Sequence, residues 1–393
     1  MKTCDTLIIG GGIIGASLAF ELSLKGQSVL LLDRQEPGRE ASWAAAGTIS
    51  PAPDTPVEAM CALSRESYRL YPAFISALES ATGKSAGFHP DGAIELFFGS
   101  RAESEREERL RIISDAGISA RPVSVAEAGR IEPAIGPSPR AAVHIIDEAS
   151  LDPRVVTRLA LNAAENAGAE IRGGMEAISL MINDACCRGA LVSSVEESQA
   201  ETLKIRTAER VEARNVVIAA GWRSCEIGGA EAYALTAPVR GQMMAFGAVA
   251  GAPRMILRCE RGYLAPREDG RVVAGSTLEP GKMEKETTGA GLQKILGAAI
   301  EMAPALGEAP IVESWAGLRP DSADHLPIIG ATDVDGLFIA TGHYRNGMLL
   351  APVTAKYLSE RIVNGRAPEL LEAFTPMRFT AKPQGVPQNP DFR

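Results

Sequence analysis

Glycine at positions 10, 12 and 15, followed by an acid at position 33, sets out the chemistry of a dinucleotide site. In Gly10-x-Gly12-x-x-Gly15, the first glycine lets the chain turn sharply and the second admits a pyrophosphate close to bare backbone. The third lets the following helix pack tightly on its strand. The start of that helix points unpaired N–H groups at the phosphates, and Asp33 accepts hydrogen bonds from a ribose diol. The other common chemistries lack their spacing. The four histidines (His89, His144, His325, His343) form no HxH or HxxxH pair, and the six cysteines form no CxxC, so a transition-metal site and a disulfide framework are both disfavoured. No G-x-S-x-G elbow supports a hydrolase.

These residues need elements to hold them, and the order of apolar runs supplies those elements. Leu7-Ile8-Ile9 reads as a buried strand, the residues after Gly12 as a helix, and Val29-Leu30-Leu31-Leu32 as a second strand ending at Asp33. The same grammar returns three times, first in Arg39-Glu40-Ala41-Ser42-Trp43-Ala44-Ala45-Ala46-Gly47-Thr48, whose small residues would let backbone lie close against a flat cofactor. A helix-like stretch over 152–167 leads to a strand-loop-strand region and then to Val216-Val217-Ile218-Ala219-Ala220-Gly221. Later, Gly336-Leu337-Phe338-Ile339-Ala340-Thr341-Gly342 precedes a helical pattern over 348–363. The expected fold class is therefore α/β, with a Rossmann-like nucleotide domain interleaved with an α+β second domain built on a mainly antiparallel sheet. The nucleotide domain is expected over 1–85, 145–226 and 312–375, and the second domain over 86–144 and 227–311. Residues 376–393 are expected to be a mobile tail, the 193–199 loop to be exposed, and 103–113 to be a charged surface helix.

The chain has 393 residues, 46% hydrophobic and 23% charged, with formal net charge −9. Its sequence pI is about 5.2 and its mean hydropathy is near zero. No Lys/Arg stripe offers a nucleic-acid surface, and no apolar run reaches the roughly 20 residues that span a bilayer. A small-molecule partner, no stable membrane insertion and a cytoplasmic location are expected.

Several segments together carry a family resemblance. Trp315-Ala316-Gly317-Leu318-Arg319-Pro320, Leu326-Pro327-Ile328-Ile329-Gly330 and Gly342-His343-Tyr344-Arg345-Asn346-Gly347-Met348 resemble the D-amino-acid oxidase superfamily of FAD enzymes. Within it they are most similar to the glycine oxidases of the thiamine pathway. The likeness extends to Ser42-Trp43-Ala44-Ala45-Ala46-Gly47 and Pro238-Val239-Arg240-Gly241-Gln242, and so covers nearly the whole chain. It implies FAD as cofactor, bound noncovalently because no cysteine follows Cys259. It also implies oxidation of glycine, sarcosine or small D-amino acids by hydride transfer to flavin, with dioxygen as the final acceptor. The products would be an imine that hydrolyses to glyoxylate and ammonia or enters thiazole synthesis, and hydrogen peroxide; a homotetramer is implied as well. A dehydrogenase passing electrons to another acceptor and a nonenzymatic dinucleotide-binding protein are the competing readings.

The resemblance also assigns residues. Arg319 is the carboxylate anchor, since its planar guanidinium forms a two-pronged pair that lysine cannot reproduce. Tyr263 assists it, and Arg345 contacts substrate through its backbone carbonyl. Arg261 and Leu278 are expected at the substrate because they depart from the family pattern, which has histidine and methionine there. Gly10, Gly12, Ile13, Ile14, Gly15, Asp33, Arg34, Ala41, Ser42, Ala46, Gly47, Thr48, Ala177, Ala220 and Gly221 are expected at the cofactor. His343, Tyr344, Arg345, Asn346, Gly347, Met348 and Leu349 complete that set, with His343 lining the cofactor and not serving as a base.

Overall fold

A computed structural model describes residues 2–54, 56–195 and 208–379. Four apolar strands form the parallel heart of one sheet: Leu337–Thr341, Ala208–Ile218, Lys2–Ile9 and Val29–Leu32, in that spatial order, with Glu170–Arg172 beyond. Where they pair at the centre of the sheet (Thr6–Ile9, Val29–Leu32, Val216–Ile218, Leu337–Thr341) their side chains are buried on both faces, which explains continuous runs such as Val29–Leu32 in place of alternation. Ile328–Ala331 closes one edge antiparallel, and the hairpin of Met175–Asn183 and Cys186–Ser194 pairs with Ala208–Ile218. Helices Ile13–Leu24, Glu58–Thr82, Pro153–Asn166 and Gly347–Asn364 join one hydrophobic core on this sheet.

A second sheet has nine strands and is antiparallel except where Ile256–Cys259 runs parallel to Ala93–Phe97. Helix Gly289–Met302 packs on it, together with buried Met244, Phe246, Leu257 and Leu264. The whole is a mixed α/β fold with one mainly parallel and one mainly antiparallel sheet.

Three expectations are redrawn. Strand Ile311–Ser322 belongs to the second sheet, pairing with Thr236–Phe246 from Thr236↔Ser322 to Phe246↔Ile311, so the segment returning to the first sheet begins after Ser322 and not at 312. Its apolar run resembles the neighbouring strands, and only the pairing assigns it. Pro376–Phe379 forms a 3-10 turn held by Arg378, whose Nε lies 2.7 Å from Asp324 Oδ2; positions 380–393 lie outside the described residues. Ser193 is fully buried in its strand, while 196–199 of the expected exposed loop lie outside the described residues.

Candidate active site

One cavity of about 1010 Å³ runs between the two sheets, from Gly10, Gly12 and Asp33 at one end to Tyr263 and Arg319 at the other. At the first end the glycines divide their work. Gly10 has φ +113°, and a Cβ there would stand 2.3 Å from the Ala219 carbonyl oxygen. A Cβ on Gly15 would lie 1.9 Å from the Gly10 oxygen, so this residue serves helix packing and does not line the cavity. Gly12 caps helix Ile13–Leu24 and lines the cavity with Ile13 and Ile14. Ser42 Oγ accepts from Ile13 N at 2.9 Å, tying the Ala41–Ala44 helix to this turn. Asp33 accepts from Gly11 N at 2.8 Å and from Gln35 N at 2.9 Å; desolvation raises its pKa against those bonds. Each oxygen keeps a lone pair for a further donor. Arg34 lies 3.9 Å from Glu176, and its Nε is buried with no hydrogen-bond partner among the described residues.

The middle of the cavity is lined by Ala41, Ser42, Ala46, Gly47 and Thr48 on one side and by Ala177, Ala220 and Gly221 on another. Gly47, with φ +73°, could carry no side chain, because its Cβ would meet the Leu151 oxygen at 2.0 Å. Sequence reasoning missed what clamps this segment. Arg154 donates to Trp43 O at 3.2 Å, pairs with both Glu313 oxygens at 2.9 and 3.0 Å, and lies 3.6 Å from the centre of the Trp43 ring. Trp315 Nε1 donates to Ala44 O at 3.1 Å, and Arg267 donates to Ala46 O. Burial lowers the Arg267 pKa to about 10. The small residues against the cavity are thus fastened from behind by Trp315 and Arg267 of the second sheet and by Arg154 at the start of helix Pro153–Asn166.

His343, Tyr344, Arg345, Asn346, Gly347, Met348 and Leu349 line the cavity where the last helix begins. His343 is 3% exposed and its Nε2 lies 3.1 Å from Thr354 Oγ1; burial pushes its pKa down to about 3, so it is neutral near pH 7 but too weakly basic to hold an abstracted proton. Pro352 removes the N–H that would bond Met348 O. Tyr71 from helix Glu58–Thr82 donates its hydroxyl to that oxygen at 2.7 Å, and Ser67 donates to Leu349 O at 2.6 Å.

At the far end the floor is one cross-strand row. Glu95 pairs with Arg258, Arg258 with Tyr263, Tyr263 with Gly275, and Gly275 with Met243. The Tyr263 hydroxyl interacts with Arg319 and lies 3.3 Å from Met243 Sδ. Arg319 reaches over Gly241, whose Cβ would stand 2.2 Å from the guanidinium. Its NH2 donates to Ser276 Oγ at 2.7 Å and its NH1 to Thr277 O at 3.2 Å. Desolvation lowers its pKa, yet a guanidinium keeps its charge.

Six arginines line the cavity: Arg34, Arg223, Arg258, Arg261, Arg319 and Arg345. Five face carboxylates, namely Glu176, Glu226, Glu148, Glu301 and Asp54 respectively. Among the described residues Arg319 alone of the six has none. A buried cation held only by neutral acceptors retains the capacity to pair with an anion. Arg345 donates to Asp54 at 2.6 Å at the rim, and Arg261 is spent on Glu301. Leu278 does not reach the site. It is 56% exposed and absent from the cavity wall, because Thr277 turns inward to Gln242 and Glu279 and its neighbour consequently faces out. The helix Ala102–Asp115 likewise turns one charge inward, Arg109 holding Glu95 at 2.9 Å.

This geometry fits a flavin dinucleotide: glycine cradles that a Cβ would fill, a helix start, an acid for a ribose, and a cavity at the upper end of the roughly 300–1,000 Å³ usual for small ligands. The FAD-dependent oxidoreductase (DAO) family pattern matches residues 5–361, and the chain belongs to that family. Particular relatives are similar over most of its length. The glycine oxidase of Pseudomonas aeruginosa is 33% identical over 370 residues, covering 92% of this chain and 95% of the relative. The bifunctional protein ThiO/ThiG of Trichormus variabilis is 32% identical over 395 residues, covering 98% of this chain and 56% of the relative, so the chain spans about half the length of that protein. The crystal structure of glycine oxidase from Geobacillus kaustophilus superposes with a TM-score of 0.86 at 26% identity, covering 96% of this chain and 99% of the other.

Proposed function

We propose that the chain oxidises glycine, with sarcosine and small D-amino acids as further substrates, using noncovalent FAD. The observation that carries this reading is Arg319, the one cavity arginine without a carboxylate among the described residues. When bound, FAD supplies the acceptor for two electrons, which dioxygen removes as hydrogen peroxide. Arg319 grips the substrate carboxylate with paired N–H donors, Tyr263 adds its hydroxyl, and the α-carbon is thereby held in one orientation. The ammonium proton passes to water, since burial leaves His343 too weak a base to take it. The balance is glycine plus dioxygen plus water giving glyoxylate, ammonia and hydrogen peroxide.

Similarity to glycine oxidases and to a ThiO/ThiG protein supports the substrate and a role in thiamine thiazole synthesis. A homotetramer in the cytoplasm accords with the family resemblance; among the described residues no helix is long and apolar enough to cross a membrane. The test is to add glycine anaerobically to the purified yellow protein and then admit air. Bleaching followed by recovery with stoichiometric peroxide is expected. Bleaching without recovery would replace the oxidase with a dehydrogenase, and an unbleached flavin would remove glycine as substrate. Flavin left on acid-precipitated protein would overturn noncovalent binding.

A further inference from the structure

Arg240-Gly241-Gln242 lies on strand Thr236–Phe246, where alternate residues face opposite sides. Gly241 lies beneath the Arg319 guanidinium. Arg240 and Gln242, 7% and 1% exposed, face the other way into a closed set of hydrogen bonds. Arg240 donates Nε to Glu279 Oε2 at 2.9 Å and NH1 to Glu284 O at 3.1 Å. Gln242 Nε2 donates to Glu279 Oε1 at 2.7 Å, while its Oε1 accepts from Thr288 N at 2.7 Å. Gly291 leaves room for that amide, since a Cβ there would stand 2.4 Å from Gln242 Oε1. Thr277 Oγ1 accepts from Gln242 N at 2.9 Å and donates to Glu279 Oε1 at 2.5 Å. The Thr277 carbonyl and the neighbouring Ser276 hydroxyl are the two acceptors that hold Arg319.

We propose that Arg240, Gln242 and Glu279 are positioning residues for the anion site. They fix the Ser276–Thr277 segment from the opposite face of the strand, so that Arg319 is oriented by neutral acceptors. Desolvation opposes the charged form of Glu279, but bonds from Thr277, Arg240 and Gln242 outweigh it and hold the carboxyl below its usual range. The inference rests on the reading of Arg319 as carboxylate anchor. A guanidinium tied to a hydroxyl and a carbonyl keeps its full charge for an incoming carboxylate, and it points at that carboxylate only as well as those two acceptors are themselves held.

The test uses acetate, a carboxylate without an amine, titrated into the FAD-loaded protein and followed by the flavin spectrum, with glycine kinetics alongside. Thr277→Val keeps the carbonyl that meets Arg319 and removes the hydroxyl that meets the frame. It is expected to weaken acetate and raise the glycine KM by about five- to tenfold, one buried hydrogen bond's worth, with flavin content unchanged and kcat within about twofold. Gln242→Glu sets two carboxylates face to face and is expected to weaken acetate further. Adding Glu279→Gln restores one amide and one carboxylate in contact and should return acetate affinity to within about twofold of the parent. Acetate binding unchanged in Thr277→Val, or a double variant no better than Gln242→Glu, overturns the frame. If Gln242→Glu does not fold, Thr277→Val decides alone. Arg319→Lys separates the two readings: it must lose acetate for the anchor to stand, and parental affinity in that variant would sink the anchor itself.

Discussion

On the function proposed, the two ends of the cavity recognise their ligands by opposite means. At Gly10–Gly15 the work is done by missing atoms: bare backbone, a helix start, and side chains kept away by carbonyl groups about 2 Å from where a Cβ would be. At Arg319 it is done by one added charge, oriented by a hydroxyl and a carbonyl and left unmatched. The first end suits any dinucleotide, because pyrophosphate and ribose are common to all of them. The second end selects, since a buried charge discriminates strongly between a ligand that satisfies it and one that does not. Cofactor class and substrate class are thus written in separate sheets, with the Ala41–Thr48 segment gripped between them.

Substitutions can pull the two ends apart. Arg319→Ala should retain yellow flavin but lose amino-acid turnover by about 10³-fold or more, through the missing anchor and the misplaced α-carbon; steady-state kinetics with unchanged flavin content checks this, and near-parental turnover would erase the contrast. Gly15→Val should act at the other end. Its branched side chain meets the Gly10 oxygen, costs about 1–3 kcal/mol of stability by overpacking and depletes bound FAD, which the ratio of visible to ultraviolet absorbance reads directly.

Arg154→Ala tests the grip between the ends. Loss of the Glu313 pair and the Trp43 stacking should weaken FAD by about tenfold, measured by fluorescence titration of the flavin-free protein, with little effect on the glycine KM of the loaded enzyme. A raised KM with unaltered flavin affinity would place the clamp at the wrong end.

His343→Gln is the finest probe. The folded protein holds this histidine neutral down to about pH 3, whereas the unfolded chain protonates it near pH 6.5. The unfolded state therefore binds more protons, so the contribution is fully present above about pH 6.5 and is lost as pH falls toward 3. Thermal melts across that window should decline less steeply for the variant; parallel curves would show that His343 takes no part in acid instability.

What could be seen in the sequence follows the same division. Gly10, Gly12, Gly15 and Asp33 act within one strand-helix-strand unit, so their spacing alone states their roles. Arg319 was legible only through the surrounding family motif, since its isolation depends on acids elsewhere capturing the other five cavity arginines. Glu148 and Glu301, far from Arg258 and Arg261 in sequence, give no local sign of doing so. Arg154 was invisible for the same reason, its partners Trp43 and Glu313 being 111 and 159 positions away. Leu278 illustrates a different failure. Its family position suggested a wall of the site, but alternation along the chain, set by the inward bonds of Thr277, turned it to solvent.

Pro352 lies in the last helix one turn after it leaves the cavity; Tyr71 supplies the one bond it forfeits, and Ser67 bonds the next carbonyl, of Leu349. The opening turn of that helix is therefore not simply an extension of its own ladder. It is tied to a neighbour as well, so disturbance of the Glu58–Thr82 helix reaches the cavity wall through Tyr71 and Ser67. The long helix behind it acts as the post on which the cavity wall hangs.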